Sequence, residues 1–234
     1  MQRHIIALGG GGFSMESENP LLDDYILSQS SKETPKICFI STASGDSEVY
    51  IDKFYNSFND KPCIPTHLSL FYGDVEHLEL FILGQDILYV GGGNTRNLLV
   101  LWREWGLDRI ILESYQTGNL ILAGISAGSM CWFEEGLTDS IPNRLSRLDC
   151  LGVLKGSNCP HFDGEEKRQA VFKSKIKNNE MKAGYACDDS VGIHFINENL
   201  HQVIASEPSP KAYRFYMEND KLREEILQPV YLGS

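Results

Sequence analysis

Leu120-Ile121-Leu122-Ala123-Gly124-Ile125-Ser126-Ala127-Gly128-Ser129-Met130 is the stretch on which the reading of the whole chain turns. An apolar run ends in Gly-x-Ser-x-Gly and gives way to small or apolar residues that can open a helix. Physically this is a buried strand turning sharply into a helix, with one hydroxyl at the apex and glycines on both sides where a side chain would strike neighbouring backbone. The helix start behind the serine offers unpaired N–H groups and a positive dipole end, both suited to an oxyanion. The plainer alternative is a strand-to-helix turn with a capping serine, and the pentapeptide alone does not choose between them.

Upstream, the same strand, loop, helix pattern recurs. Ile5 to Leu8 is a short apolar strand that runs into Gly9-Gly10-Gly11-Gly12. Asn19 to Leu27 has helical apolar spacing with Pro20 near its start. Lys36 to Ile40 is a second strand, followed by the polar loop Ser41 to Asp46 and a helix over Ser47 to Phe58. Thr66 to Phe71 is a third strand and Val75 to Leu83 a short helix or turn. Asp86 to Val90 is a fourth strand, ending in Gly91-Gly92-Gly93-Asn94-Thr95 before an amphipathic helix from Arg96 to Trp105. Another helical piece surrounds Arg109 to Ser114. This alternation predicts an α/β fold with a mostly parallel sheet covered on both faces by helices, whose ligands bind beyond the carboxyl ends of the strands. One rim then collects the glycine loops and Ser126.

Beyond Met130 the pattern loosens. Glu134 to Ser140 reads as a polar turn and Asn143 to Asp149 as a polar segment. Leu151 to Leu154 is an apolar island, and Ser157 to Gly164 a rigid, turn-rich segment. Glu165 to Lys177 has the spacing of an amphipathic helix. Strands are expected at Met181 to Ala186, Val191 to Ile196 and Gln202 to Ala205, with a C-terminal hairpin from Lys211. No linker divides the 234 residues, so one domain over 1–234 is expected.

The bulk properties narrow the function classes. A net charge of −11 argues against bulk binding to nucleic acid or anionic membrane. No apolar run has the ~18–20 residues of a membrane span, and the N-terminal apolar stretch is too short for a signal peptide, so a cytoplasmic protein is expected. The six cysteines include no C-x-x-C pair, so neither a metal site nor a disulfide framework is indicated.

A serine nucleophile needs a base and a group that orients the base. Of the six histidines, His161 stands apart, lying beside Pro160 among turn residues that could aim it at the rim. An exposed loop histidine is the plainer alternative. Asp139, in a polar turn after the serine, and Asp188 and Asp189, between two late strands, are all available to hold the imidazole.

Together, Gly91-Gly92-Gly93-Asn94-Thr95, Gly124 to Gly128, Thr138-Asp139 and Pro160-His161-Phe162 resemble the dipeptidase E (aspartyl dipeptidase) family of serine peptidases, to which cyanophycinase is related. The resemblance spans the middle and end of the chain, and the ordered set is far more specific than any single motif. It implies a fold like that of class I glutamine amidotransferases, with serine where those enzymes carry cysteine. It also implies Ser126 as nucleophile and His161 as general base. The acid is then Asp139 on one assignment, or Asp188 or Asp189 in place of the family's usual glutamate on another.

The oxyanion hole falls to the N–H groups of Ala127 and the Gly92 to Gly93 loop. By the same resemblance, substrate contacts would fall to Asn94 and to a basic residue that meets an aspartyl side chain. Arg168 is the leading candidate for that residue, with Arg144 and Arg147 as others.

The expectation is a serine peptidase without metal or organic cofactor. It would cleave short peptides, chiefly Asp-X dipeptides, and could form a homodimer. A cyanophycinase-like enzyme for β-aspartyl peptides and a non-catalytic small-molecule sensor are the competing readings.

Overall fold

The computed structural model describes residues 2–72, 77–164 and 166–233. Val75 and Glu165, where two of the expected helices begin, lie outside the described residues. In chain order the elements are β1 (His4–Leu8), α1 (Gly12–Met15), α2 (Leu21–Ser28), β2 (Lys36–Ile40), a 3-10 turn at Thr42–Ser44, α3 (Glu48–Phe58), β3 (Ile64–Leu68) and α4 (Leu78–Leu83). There follow β4 (Ile87–Val90), α5 (Thr95–Trp105), α6 (Leu107–Gln116), β5 (Ile121–Ile125), α7 (Ala127–Met130), β6 (Phe133–Ile141), β7 (Arg144–Asp149) and β8 (Leu154–Cys159). The rest of the chain forms α8 (Glu166–Lys177), β9 (Gly184–Cys187), β10 (Val191–Ile196), β11 (Asn199–Ala205), β12 (Ala212–Glu218), β13 (Lys221–Leu227) and β14 (Val230–Tyr231).

The first sheet has eight strands in the order β14-β11-β10-β1-β5-β4-β2-β3. From β1 through β5, β4 and β2 to β3 every pairing is parallel, whereas β10 joins β1 antiparallel. The parallel strands are continuous apolar runs because both their faces are covered. Ile6, Leu8, Phe39 and Tyr89 pack on one face against Phe13, Leu22, Ile26, Phe54 and Phe58 of α1 to α3. Ile5, Ala7, Ile40 and Val90 pack on the other against Leu98 and Trp102 of α5 and Leu107 and Ile111 of α6. The α/β class with helices on both faces is therefore observed.

A second sheet has six strands in the order β13-β12-β9-β8-β6-β7, of which β6, β7 and β8 were not expected as strands. Glu134 to Ser140, expected as a turn, lies inside β6, and Asn143 to Asp149 largely forms β7. Two of the polar residues that suggested a turn, Glu135 and Thr138, are buried. Glu135, 1 % exposed, accepts from Arg147 Nε at 2.5 Å and from the N–H of Lys182 at 2.6 Å. The third strand also begins earlier than expected, at Ile64.

The second sheet packs into the core of the first. Phe133 of β6 and Tyr185 of β9 meet Phe195 of β10 edge-on, with ring centroids 5.8 and 5.4 Å apart. Asn158 Nδ2 of β8 donates to Ser129 Oγ of α7 at 3.2 Å. Among the described residues no helix is long and apolar enough to cross a membrane.

Candidate active site

Ser126 sits at the turn between β5 and α7 with φ 55° and ψ −112°, a region that side-chain-bearing residues rarely adopt. The surroundings over-determine this conformation. Its N–H donates to Leu8 O at 3.2 Å, and its own carbonyl accepts from Ser129 and Met130. A Cβ at Gly124 would lie 2.1 Å from Gly128 O, and one at Gly128 would lie 2.1 Å from Val90 O. Only glycine fits at either place, so the Gly-x-Ser-x-Gly spacing is a packing requirement that leaves the serine half-buried at the apex.

His161 follows β8 and thus comes from the second sheet. It too has a left-handed backbone, φ 51°. Its Nδ1 lies 2.6 Å from Asp189 Oδ1, which leaves Nε2 as the nitrogen available to a substrate or nucleophile. Asp189 lies in the turn between β9 of the second sheet and β10 of the first. Gly10, in the tetraglycine run after β1, packs against this pair. A Cβ there would fall 1.9 Å from Asp189 Oδ1 and 3.0 Å from His161 Nδ1.

A cleft of about 420 Å³ is lined by Gly93, Ser126, Asp139, His161, Gly164, Arg168 and Asp189. Of the acids considered for His161, the structure brings up Asp189, and two expectations need correcting. Asp188 faces away, because neighbouring residues of an extended turn alternate direction. Its Oδ2 accepts from the N–H of Lys211 at 2.9 Å, while burial, aided by the charges of Asp163 and Asp189, pushes its carboxyl up to about 6. Asp139 also lines the cleft, largely exposed, with Oδ2 3.4 Å from Arg168 Nη2, and no hydrogen bond joins it to His161 among the described residues.

Arg168 is 3 % exposed on α8 and donates through Nη1 to Leu137 O at 3.4 Å, so its guanidinium is fixed beneath the cleft. Arg147 is committed elsewhere, to Glu135 and Asp149. Arg144 lies on β7, exposed and outside the residues lining the cleft.

The glycine loop after β4 also departs from expectation at two positions. Gly92 does face the serine, since a Cβ on it would come within 3.4 Å of Ser126 Cβ. Its N–H, however, donates to the Tyr50 hydroxyl at 3.3 Å and is not directed at the cleft. Asn94 is a helix cap rather than a substrate ligand. Its Oδ1 accepts from the N–H of Asn97 at 3.0 Å and its Nδ2 donates to Ser140 O at 3.1 Å, occupying both ends of the amide. Gly93 has φ 137°, and a Cβ there would lie 2.2 Å from Ala43 O, so the loop is pressed onto the 3-10 turn after β2. Ala127, as the first residue of α7, has no partner for its N–H within the helix.

Sequence reasoning passed over Glu16 and Asp163, whose carboxylates meet the Asp189 turn. The N–H of Asp189 donates to Asp163 Oδ1 at 2.9 Å, and Ser190 Oγ donates to Glu16 Oε1. Asp163 lies two residues after His161 and could have been suspected. Glu16 has no local signal, because its partners lie almost at the other end of the chain.

A Gly-x-Ser-x-Gly elbow at the rim of a parallel sheet, sharing a cleft with an aspartate-bound histidine, is an arrangement suited to hydrolysis, and comparison with known proteins places the chain among the peptidases. The chain belongs to peptidase family S51, whose model matches residues 5–203. It is 52 % identical over 231 residues to the uncharacterized peptidase YgaJ of Bacillus subtilis (strain 168), covering 99 % of this chain and all of that one. Its fold is similar to the crystal structure of a peptidase from an acI-B1 Actinobacterium, with TM-score 0.69 and 17 % identity over 98 % of this chain and 95 % of that one. It is also similar to a peptidase E candidate from Listeria monocytogenes EGD-e, with TM-score 0.66 and 18 % identity over 88 % of this chain and 99 % of that one.

Proposed function

We propose that this S51 peptidase is a serine dipeptidase of the peptidase E type that hydrolyses short peptides with an N-terminal aspartate. The observation that carries the reading is one cleft lined by both Ser126 and His161, with Asp189 2.6 Å from His161 Nδ1. Ser126 Oγ attacks the scissile carbonyl carbon as His161 Nε2 takes its proton. Asp189 accepts the hydrogen bond from Nδ1–H, which fixes the tautomer and favours the imidazolium that forms. The N–H groups of Ala127 and Gly93 receive the oxyanion, a contribution of about 10²–10³ in rate for each donor.

His161 then returns the proton to the leaving amine, the C–N bond breaks and Ser126 is left acylated. In the second half, His161 takes a proton from water, the resulting hydroxide attacks the ester, and the proton passes back to Ser126 Oγ. Arg168, buried and held in place beneath the cleft, supplies the forked cation for the substrate's aspartyl carboxylate.

The test is hydrolysis of α- and β-aspartyl dipeptides by the wild type and by Ser126→Ala. Cleavage of the α-peptide is expected in the wild type and none in the variant, with unchanged circular dichroism. Full activity in Ser126→Ala would refute the nucleophile. Preference for the β-peptide would refute the substrate assignment and favour a cyanophycinase-like activity.

A further inference from the structure

Aspartate carries its carboxylate on a single methylene. Whether Asp189 meets His161 is therefore decided by where the backbone of residues 188–190 lies more than by rotamer choice. That backbone is tied from both sides. The N–H of Asp189 donates to Asp163 Oδ1 at 2.9 Å, two residues beyond His161, so the base and its acid share one hydrogen-bonded frame.

On the other side Ser190 adopts the left-handed conformation, φ 64°, and its N–H donates to Gly10 O at 3.2 Å. Ser190 Oγ donates to Glu16 Oε1. Glu16 Oε2 accepts from Ser206 Oγ at 2.8 Å, and the N–H of Ser206 donates to Ser190 O at 3.0 Å, closing a ring around Ser190. A carboxylate can only accept, so Glu16 fixes the direction of both hydroxyls at once.

We propose that Glu16 and Asp163 are positioning residues that clamp the Asp189–Ser190 turn at the distance His161 requires. The proposal rests on the Ser126, His161, Asp189 reading above. Neither carboxylate is hydrogen-bonded to His161, and both act through the backbone that carries Asp189. Misplacement of a catalytic group by 1 Å costs about 10²-fold in rate.

The experiment measures kcat and KM on an Asp-X dipeptide. Glu16→Ala and Asp163→Ala are each expected to lower kcat by about 10- to 100-fold with KM changed less than about twofold. Asp163→Asn, which keeps the one oxygen acceptor that is used, is expected to recover most of the loss, and Glu16→Gln, which keeps one of two, to recover part of it. They also answer the case in which an alanine variant fails to fold.

A second comparison separates clamping from general destabilisation. Asp189→Glu alone lowers kcat, because the space towards Gly10 is already filled. Combined with Glu16→Ala, whose turn is free to withdraw, the longer arm is expected to raise kcat several-fold above Glu16→Ala alone. Wild-type kcat in both alanine variants, or losses that simply multiply in the double variant, would overturn the clamp. Wild-type activity in Asp189→Asn would instead overturn the triad reading on which it rests.

Discussion

The strain at Ser126 is held by neighbours that leave no alternative. A methyl group at residue 128 would have to displace the carbonyl of Val90, which belongs to a central strand and is not free to yield. Gly128→Ala is expected to cost about 1–3 kcal/mol, as overpacking of a tight core does, and to remove activity as the elbow shifts. Urea unfolding and hydrolysis assays check the two effects. At Arg168 the expected effect is on binding: Arg168→Ala should raise KM for an Asp-X dipeptide by at least about tenfold, the scale of one lost charge-assisted contact, with a smaller change for an Ala-X peptide. Comparative kinetics on the two substrates would measure it.

The residue scale also marks how far the sequence could be read. The elbow and His161 stand out in the sequence because glycine, proline and turn chemistry leave local traces. Asp188 and Asp189 do not separate, because which of two adjacent side chains faces the histidine depends on a turn set by Gly10, Glu16 and Asp163 from distant parts of the chain.

Among the elements, those with an apolar period were legible and those that bury polar residues were not. β1, β2, β4 and β5 are apolar runs ended by loops, and they announce a parallel sheet. β6 carries Glu135 and Thr138 inside the protein, so its pattern imitates a solvated turn. β3 was misplaced because its residues are mostly half-exposed or exposed and show little alternation. Asn94 belongs to the motif that carries the family resemblance, yet the end of a glycine loop before a helix is also the ordinary place of a helix cap. Asn94→Ala is expected to lower stability by about 1 kcal/mol through loss of the cap on α5. Thermal unfolding would register the change.

At the scale of the whole molecule two buried titratable groups pull stability in opposite directions with pH. His194 is fully buried, and burial, followed by the charges of His4 and His201, lowers its pKa from 6.5 to about 3. The unfolded chain therefore binds a proton that the folded chain refuses, and stability falls as pH drops from 6.5 towards 3. Asp23 is 2 % exposed, and burial raises its carboxyl from 3.8 to about 7. Its contribution is full below 3.8 and is lost as pH rises through 7. Between these values the two slopes oppose each other at about 1.4 kcal/mol per pH unit. Asp23→Asn removes one of them. Its stability relative to the wild type is expected to increase by about 1.4 kcal/mol per unit from pH 4 to 7, measured by urea unfolding at several pH values.

Ser126 follows a strand of the first sheet, His161 follows a strand of the second, and Asp189 lies in the turn that passes from one to the other. With the proposed triad, catalysis would act as a strain gauge across the seam between the sheets. A slip at the seam that leaves every strand paired would still pull His161 off Ser126. Hydrolysis should accordingly disappear at lower urea concentration than the far-ultraviolet ellipticity, so that a loosened molecule is disarmed before it is unfolded.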